Sequence, residues 1–444
     1  MTRRLVVFLS VVAAVAAVPA SASAHGIGGR GDLPVPVHFF VAGATVVLVL
    51  SFLALGALWR QPRLQSGPDY RPTRLGGRWL DITLATVGVV GLFLVIAAGV
   101  FGESLRTNSA PVLVWVVLWL VIPFSGAVLG DLWRSINPWR TLSLAAGATE
   151  KDRPALAALG IWPAAGAFVA FTWLELVYRD STEPLSLAAA ALIYSIYAFG
   201  WVAYAGPRSG LEAGDAFTPY NELFGAIGPL DRGPDGKFRS RGWLRALPVV
   251  PQRPGLVAFA AAMLGSVTFD GLSATEWYGD TFGSAASEEW FGTLALLACV
   301  GAIAAAYLAA SWIAGRMGDM TTLSVARSFA HTLVPIALAY AVAHYFTLVI
   351  FEGQTLFAAV SDPLGLGWDL FGTAGWRINF WLSPTGIWWV QLGAIVLGHV
   401  AAVVLAHDRA LAVFPKESAV RTQYAMLGLM VALTGLGLVL LSAG

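Results

Sequence analysis

Six histidines, His25, His38, His331, His344, His399 and His407, are the side chains of this sequence best suited to hold a metal or move a proton. His25, His38 and His344 fall near the ends of apolar segments whose corresponding ends also carry Glu175 and Asp270. Imidazole and carboxylate ligands in a part-buried pocket are what a hydrolytic divalent metal requires. The ion lowers the pKa of its bound water and polarises the bond under attack. His25, His38 and His344 are therefore candidate metal ligands, for zinc or copper. Glu175 and Asp270 are candidate catalytic groups, each as a further ligand or as general base. Processing that exposed His25 as the N-terminal residue would give it an amine and a ring nitrogen together, which suits copper. No compact motif links these residues. For each alone, the ordinary reading is a solvated or hydrogen-bonded side chain near a helix end.

The remaining histidines allow a different chemistry. His331 and His344 lie on one apolar segment, about 20 Å apart at 1.5 Å per residue. His399 lies on the next, antiparallel segment at a comparable depth to His331. His331 facing His399, and His344 facing His38, would give the two stacked pairs that two membrane haems require. His331 and His399 are cofactor ligands only in that haem reading. Otherwise they bond each other or neighbours such as Thr332. His407, in His407-Asp408-Arg409, is expected at the interface. A carrier is a third alternative. Pro123, with Ser125 and Gly126, interrupts one apolar segment and Pro335 another, as in discontinuous transport helices. The acids, however, gather toward the segment ends rather than the middle, which disfavours an ion-coupled carrier.

The elements that must position these groups are apolar helices. The chain is 57% hydrophobic and 12% charged, about half the charge fraction of a soluble domain. Its apolar runs cover about 36–59, 80–101, 111–130, 158–178, 185–205, 255–272, 291–314, 325–350, 385–407 and 422–442. Most are long enough for a hydrocarbon core about 30 Å thick. Residues 1–24 read as a cleavable signal peptide, with Arg3 and Arg4, an apolar core from Leu5 to Val18, and a cleavage site at Ala22-Ser23-Ala24. With the mature N-terminus outside, Arg30, Arg106, Arg179 and Arg377 are the only Lys or Arg on outside segments. All others beyond the signal fall inside, a strong positive-inside pattern. Cys299 is the single cysteine, which excludes an intrachain disulfide and a thiolate cluster.

The longest inside segment, 206–253, reads as a solvated loop with a surface helix over Leu211 to Leu230 and then a Gly/Pro/Arg run. The outside segment 351–384 holds Asp362, Trp368, Asp369, Trp376 and Trp381, and suits a lid over a site or an interfacial cap. The turn Gly130 to Arg140 alternates Trp with Arg and reads as a structural turn at headgroup depth.

Over nearly its full length the chain resembles a family of actinobacterial integral membrane proteins commonly labelled fenitrothion hydrolase. The stretches that carry the resemblance include Ala24-His25-Gly26 with Asp32-Leu33-Pro34, Gly130-Asp131 through Asn137-Pro138-Trp139-Arg140, and Trp173-Leu174-Glu175-Leu176. Others are Gly214-Asp215-Ala216-Phe217, Met263 to Leu272, Pro335 to Tyr340 continuing through Ala343-His344-Tyr345-Phe346, Ser361-Asp362-Pro363, and Gly398-His399-Val400 to Leu411. Members of the family often carry Glu where this chain has Asp215. The resemblance implies hydrolysis of an organophosphate triester with release of a phenol. An apolar ester taken from the outer leaflet would suit such a site better as native substrate.

The expectation is thus an all-α polytopic membrane protein of about ten spans, with both mature termini outside, in the bacterial cytoplasmic membrane. Its leading function is a metal-dependent hydrolase with an outward-facing site. The alternatives are a haem- or copper-binding redox protein and a small-molecule transporter. The expected partners are the lipid bilayer and a small apolar substrate, with no nucleic acid. Protein partners are not legible.

Overall fold

Most of this chain's charge lies in the segments that connect its long apolar helices. The structure, a computed structural model, describes residues 36–443. The signal peptide 1–24, His25 and Asp32 lie outside the described residues. Among those described, nine helices are long and apolar enough to cross a membrane: Val37–Leu58, Arg78–Phe101, Ser109–Leu129, Pro184–Ala205, Leu256–Ser273, Glu289–Gly318, Thr322–Ile350, Pro384–Val413 and Ala419–Ala443. The protein is a multi-pass membrane protein. The tenth expected span, 158–178, is instead a short helix Ala155–Leu159 followed by Trp162–Leu176 of 15 residues. Gly160 breaks it with φ +56, in a place where a Cβ would meet the Pro254 carbonyl oxygen at 2.2 Å. At 1.5 Å per residue, 15 residues reach only about 22 Å, short of a full hydrocarbon core.

The helices fall into two compact units. The first comprises residues up to Ser66, Ala260–His344 and the chain from Leu382 onward. In it, Val37–Leu58 packs against Pro384–Val413 and Gln423–Ala443, and Glu289–Gly318 packs against Gln423–Ala443. Without a hydrophobic drive between helices in lipid, small residues set their approach. Gly398 shows this: a Cβ there would stand 2.3 Å from the Ala339 Cβ and 2.6 Å from the Pro335 carbonyl oxygen. Gly437 similarly makes room for the ring of Tyr340, whose hydroxyl donates to the Leu433 carbonyl. The span Thr322–Ile350 is not one α-helix. It breaks into a 3₁₀ turn at Ala330–Leu333 before the helix Val334–Ile350. Pro335 lacks an N–H to bond back across that turn, so the discontinuity falls where its ring sits.

The second unit comprises Gly67–Phe259 and Tyr345–Trp381. Pro123 does not break its span. The ten residues Val112–Val121 before it wind as a π-helix, and an α-helix Ile122–Leu129 continues from there. The Ile122 amide donates to Val117, five residues back. The proline is thus carried within one continuous helical span, Ser109–Leu129. Segment 206–253 is more ordered than a solvated loop. Its helical stretch divides into Ser209–Gly214 and Phe217–Gly225, and Phe217, Tyr220, Leu223 and Phe224 are all buried. The Gly/Pro/Arg run contains a hairpin, Leu230–Arg232 (β2) against Lys237–Ser240 (β3), turned at Asp235-Gly236. Gly236, at φ +72, supplies the positive dihedral that this turn needs. Arg71–Gly76 (β1) pairs antiparallel with β3, giving the sheet order β1-β3-β2. This small sheet is the one departure from all-helical architecture among the described residues.

Acidic groups crowd beside that sheet. Arg241 pairs with Asp231 at 3.3 Å, and Arg253 pairs with Glu222. Asp131 accepts from the Arg134 amide at 3.3 Å. Burial pushes its pKa from 3.8 up to about 7, and the Glu222 carboxylate adds to the rise.

Two tests follow from this packing. Gly398→Ala should destabilise the purified protein by about 1–3 kcal/mol through overpacking. Gly393→Ala on the same helix, where a Cβ meets nothing within 4 Å, should be neutral. Equal melting temperatures for the two variants in detergent would refute the close approach at Gly398. The second test uses pH. A carboxyl whose folded pKa lies above its unfolded value holds a proton that the unfolded chain has released. Stability from Asp131 is therefore present below about pH 4 and is lost as pH rises toward 7. Asp131→Asn should flatten that part of the pH–stability curve, as measured by thermal unfolding at stepped pH. Parallel curves for variant and parent would show that Asp131 carries no such shift.

Candidate functional site

Asp270 and His344 come from the far ends of two apolar helices, Leu256–Ser273 and Val334–Ile350. The fold brings them together. His344 Nε2 lies 2.9 Å from Asp270 Oδ2, and the two side chains are 27% and 21% exposed. Both were candidates by residue type, and they are the candidate pair that the structure places in direct contact. Gly271 keeps the approach open, since a Cβ there would stand 3.2 Å from Leu440 and 3.9 Å from the imidazole. Next to the ring is a cavity of about 20 Å³, bounded by Thr268, Tyr340, Ile395 and Leu440 among others. That is room for about one water molecule. The hydroxyls of Thr268 and Tyr340 donate to the carbonyls of Leu264 and Leu433.

Such a dyad can do two things. A carboxylate beside imidazole fixes the ring's orientation and stabilises the imidazolium that forms when the ring takes a proton. Alternatively, a nitrogen and an oxygen this close can enter one metal coordination sphere. Among the described residues, no group of three or more His, Cys, Asp or Glu could hold an ion. A third ligand would have to come from elsewhere, and His25 lies outside the described residues.

The other candidates are placed as follows. His38 is exposed at the start of Val37–Leu58, with its ring against Phe39 at 4.4 Å. The expected pairing of His38 with His344 is not what the dyad uses, since the His344 ring faces Asp270. His331 sits in the 3₁₀ turn and His399 in Pro384–Val413, 5% and 0% exposed. His399 Nδ1 donates to the Ile395 carbonyl at 2.8 Å. Nε2 of each ring has no hydrogen-bond partner among the described residues. Free, buried imidazole nitrogens are what a haem would need. Gly398, beside His399, packs directly onto Pro335 and Ala339. Glu175 belongs to the second unit, half-buried on Trp162–Leu176 near the Tyr220 phenol.

His407 is enclosed by the protein. It is 1% exposed, with Nδ1 at 2.9 Å from Gln423 Oε1 and Nε2 at 2.9 Å from the Trp59 carbonyl. Asp408 is fully buried and accepts from Trp59 Nε1, the amides of Arg63 and Leu64, and Gln65 Nε2. Arg409 donates to Gln65 and to the Ser328 carbonyl. This trio anchors the segment after the first helix rather than facing solvent.

Two features of the second unit were not visible in the sequence. The first is Asp215, with no solvent exposure. Its carboxylate accepts from Trp133 Nε1 at 2.9 Å, Asn137 Nδ2 at 3.0 Å, and the hydroxyls of Tyr194 and Thr218, each at 2.6 Å. Burial raises its pKa even though these donors pull it down. The second is an apolar cleft of about 810 Å³, near the upper end of ligand-site volumes. Arg78–Phe101, Ser109–Leu129, Trp162–Leu176 and Pro184–Ala205 each turn one stripe toward it. At one end it meets an aromatic plate of Trp133, Trp139, Tyr194, Tyr197 and Phe217. The rings of Trp133 and Tyr194 face the cleft while their polar tips reach Asp215. Stripes of this kind look the same in sequence as faces turned to lipid.

Segment 351–384 is closely hydrogen-bonded over its second-unit part. Asp362, 1% exposed, accepts from Thr107 Oγ1 and from the amides of Leu366 and Gly367. Burial would raise its pKa, but those donors outweigh it and hold the carboxyl below its usual range. Trp368, Phe371, Trp376, Phe380 and Trp381 remain exposed, as an aromatic belt at an interface would be. No family model, no curated protein and no solved structure matches the chain.

Proposed function

We propose that this protein is a membrane-embedded hydrolase whose acid–base group is the His344–Asp270 dyad, acting on an apolar ester drawn from the bilayer. The observation that carries this reading is the 2.9 Å imidazole–carboxylate contact beside a water-sized cavity. A water held there would give its proton to His344 as it attacks the ester carbon or phosphorus. Asp270 would stabilise the imidazolium. The proton would then pass to the departing alcohol or phenol. Low local polarity strengthens each of these interactions. On the expected orientation, with positive loops inside, the dyad lies in the outer half of the bilayer. The resemblance to the fenitrothion hydrolase family agrees with a phosphotriester or carboxylic ester as substrate.

A divalent ion, zinc or copper, would extend the same site. His344 and Asp270 would supply two ligands and His25 of the mature N-terminus a third. The ion would polarise the scissile bond and lower the pKa of the attacking water. The carrier reading retains one specific support, the 3₁₀ break at Ala330–Leu333 with the buried His331 on it.

The test is hydrolysis of chromogenic carboxylic and phosphotriester esters by protein purified in detergent without chelators, with elemental analysis of the same sample. His344→Asn should lower kcat about 10²–10⁴-fold, the range for loss of a general base. Asp270→Asn should lower it less and shift the pH profile. Both variants should keep the parent melting temperature within a few degrees. Unchanged turnover in His344→Asn would sink the dyad. Equal metal content in parent and His344→Ala would remove the ion from the scheme. Substrate flux in proteoliposomes without product would move the case to a carrier.

A further inference from the structure

The two contacts of His407 fix how many protons its ring carries. Nδ1 lies 2.9 Å from Gln423 Oε1, and Nε2 lies 2.9 Å from the Trp59 carbonyl oxygen. Both partners are acceptors, so both ring nitrogens must donate. A neutral imidazole has one N–H and one lone pair. In either tautomer it would turn that lone pair onto an oxygen at hydrogen-bond distance. Rotating the Gln423 amide does not remove the conflict. Its Nε2 donates to the Ala419 carbonyl at 2.6 Å, and the rotated amide would set Oε1 against that carbonyl instead. Only the imidazolium satisfies every contact.

The ring is 1% exposed, and a buried charge is costly unless its surroundings answer it. Trp59 closes the helix Val37–Leu58: its N–H donates to the Leu55 carbonyl. Its own carbonyl belongs to the helix end, where orphan carbonyls carry partial negative charge that favours a cation. Asp408, the next residue after His407, accepts from the Trp59 indole and from the amides of Arg63 and Leu64. The anion is thus anchored on the same short segment as the imidazole.

The cations nearby are engaged elsewhere or exposed. Arg60 Nε donates to the Ala57 carbonyl, and the Arg63 guanidinium lies over the Trp59 ring at 4.8 Å. Arg409 donates to Gln65 and to the Ser328 carbonyl. Arg421, two residues before Gln423, is exposed. The helices Val37–Leu58 and Gln423–Ala443 contain no Asp, Glu, Lys or Arg. The first packs the Phe52 ring edge-on to the imidazole, with centroids 6.4 Å apart. The second carries Tyr424 there, which is exposed.

We infer that His407 is a proton-operated bridge, which as an imidazolium joins the end of the first long helix to the start of the last one. Each ring nitrogen holds one element. A neutral ring holds only one of the two, whichever tautomer it adopts, so loss of a proton cuts the bridge. It is closed at low pH and opens as pH rises. The segment it fixes, Trp59 to Ser66, is the stretch by which the chain leaves the first unit for Gly67. On the expected orientation this end of the helices faces the cytoplasm, and the bridge reads internal pH.

The experiment uses full-length protein in detergent. Nitrogen NMR of histidine-labelled protein, with the His407 signals identified by their loss in His407→Gln, should show a proton on both ring nitrogens at about pH 7. One bare nitrogen in the folded parent at that pH would overturn the bridge. Gln423→Leu removes one acceptor, so its His407 should carry a single proton under the same conditions. Two protons in that variant would overturn the role of Gln423. Hydrogen exchange, corrected for intrinsic rate, reads the opening. Peptides covering 55–66 and 419–428 should exchange at least about tenfold faster at about pH 9 than at about pH 6, the factor for losing one hydrogen bond to a charged group. Peptides of Glu289–Gly318 should not change. His407→Gln should exchange fast at both values. A parent with equal exchange at the two values overturns the switch, and a His407→Gln variant that keeps the parent's pH dependence overturns His407 as its origin. No step depends on His344, so His344→Asn should match the parent in both measurements, which separates this outcome from failure of the hydrolase reading.

Discussion

Away from water, a polar group must find its partner within the protein, and this requirement organises both units. A lone carboxylate in hydrocarbon would cost several kcal/mol at least. Asp408 in the first unit and Asp215 in the second are each 0% exposed, and each is surrounded by donors that it aligns. Asp408 gathers an indole, two backbone amides and a side-chain amide from residues 59–65. Asp215 gathers an indole, a side-chain amide and two hydroxyls from residues on three helices. The donors are also costly to bury unpaired, so removing either aspartate orphans a whole set. In each unit the carboxylate converts a polar connection into part of the packed interior.

The same requirement explains which features the sequence displayed. Span positions follow from apolar length and charge sidedness, both additive properties of the chain, and nine of the expected ten segments are helices of crossing length. The tenth failed because one glycine, Gly160, turns the chain at a position that apolar content does not mark. Pro123 signalled a break, but the π-wound turns before it carry the proline within a continuous helix. Segment 206–253 read as solvated because Asp215, Arg232 and Arg241 looked like surface residues. All three are buried, Asp215 and Arg232 against partners outside the segment and Arg241 against Asp231 and backbone carbonyls within it. A charged residue that is paired across the fold is indistinguishable in sequence from one that faces water.

Site residues were legible by type and not by pairing. Asp270 and His344 stood out because ionisable groups in apolar helices are rare. That they meet, while His38 is exposed at the start of its own helix, depends on which helices are neighbours. Periodicity identifies the face of a helix and leaves its partner open. The cleft was less legible still, because Leu187, Ala190, Ala191 and Ile193 suit lipid, a neighbouring helix or a bound chain equally well. Aromatic residues near Arg134 and Arg140 were visible as a turn at headgroup depth. The attachment of Trp133 and Asn137 to Asp215 was not, because it joins stretches about eighty residues apart.

Glycine has opposite uses in the two units. At Gly398 the missing side chain is filled by a neighbouring helix, whose backbone comes to within 2.6 Å of where a Cβ would stand. Close packing of that kind gains dispersion contacts along both helices and resists separation. At Gly91 and Gly166 nothing fills the space. Gly166 is exposed and Gly91 partly so, so the surface there is a cleft open to its surroundings and not a packed interior. Its wall is fixed, since Trp133 and Tyr194 in the aromatic plate are held from behind by the hydrogen bonds of Asp215. Preorganisation of that kind lowers the ordering cost of binding, and it connects a fully buried carboxylate to an apolar cleft that it does not line.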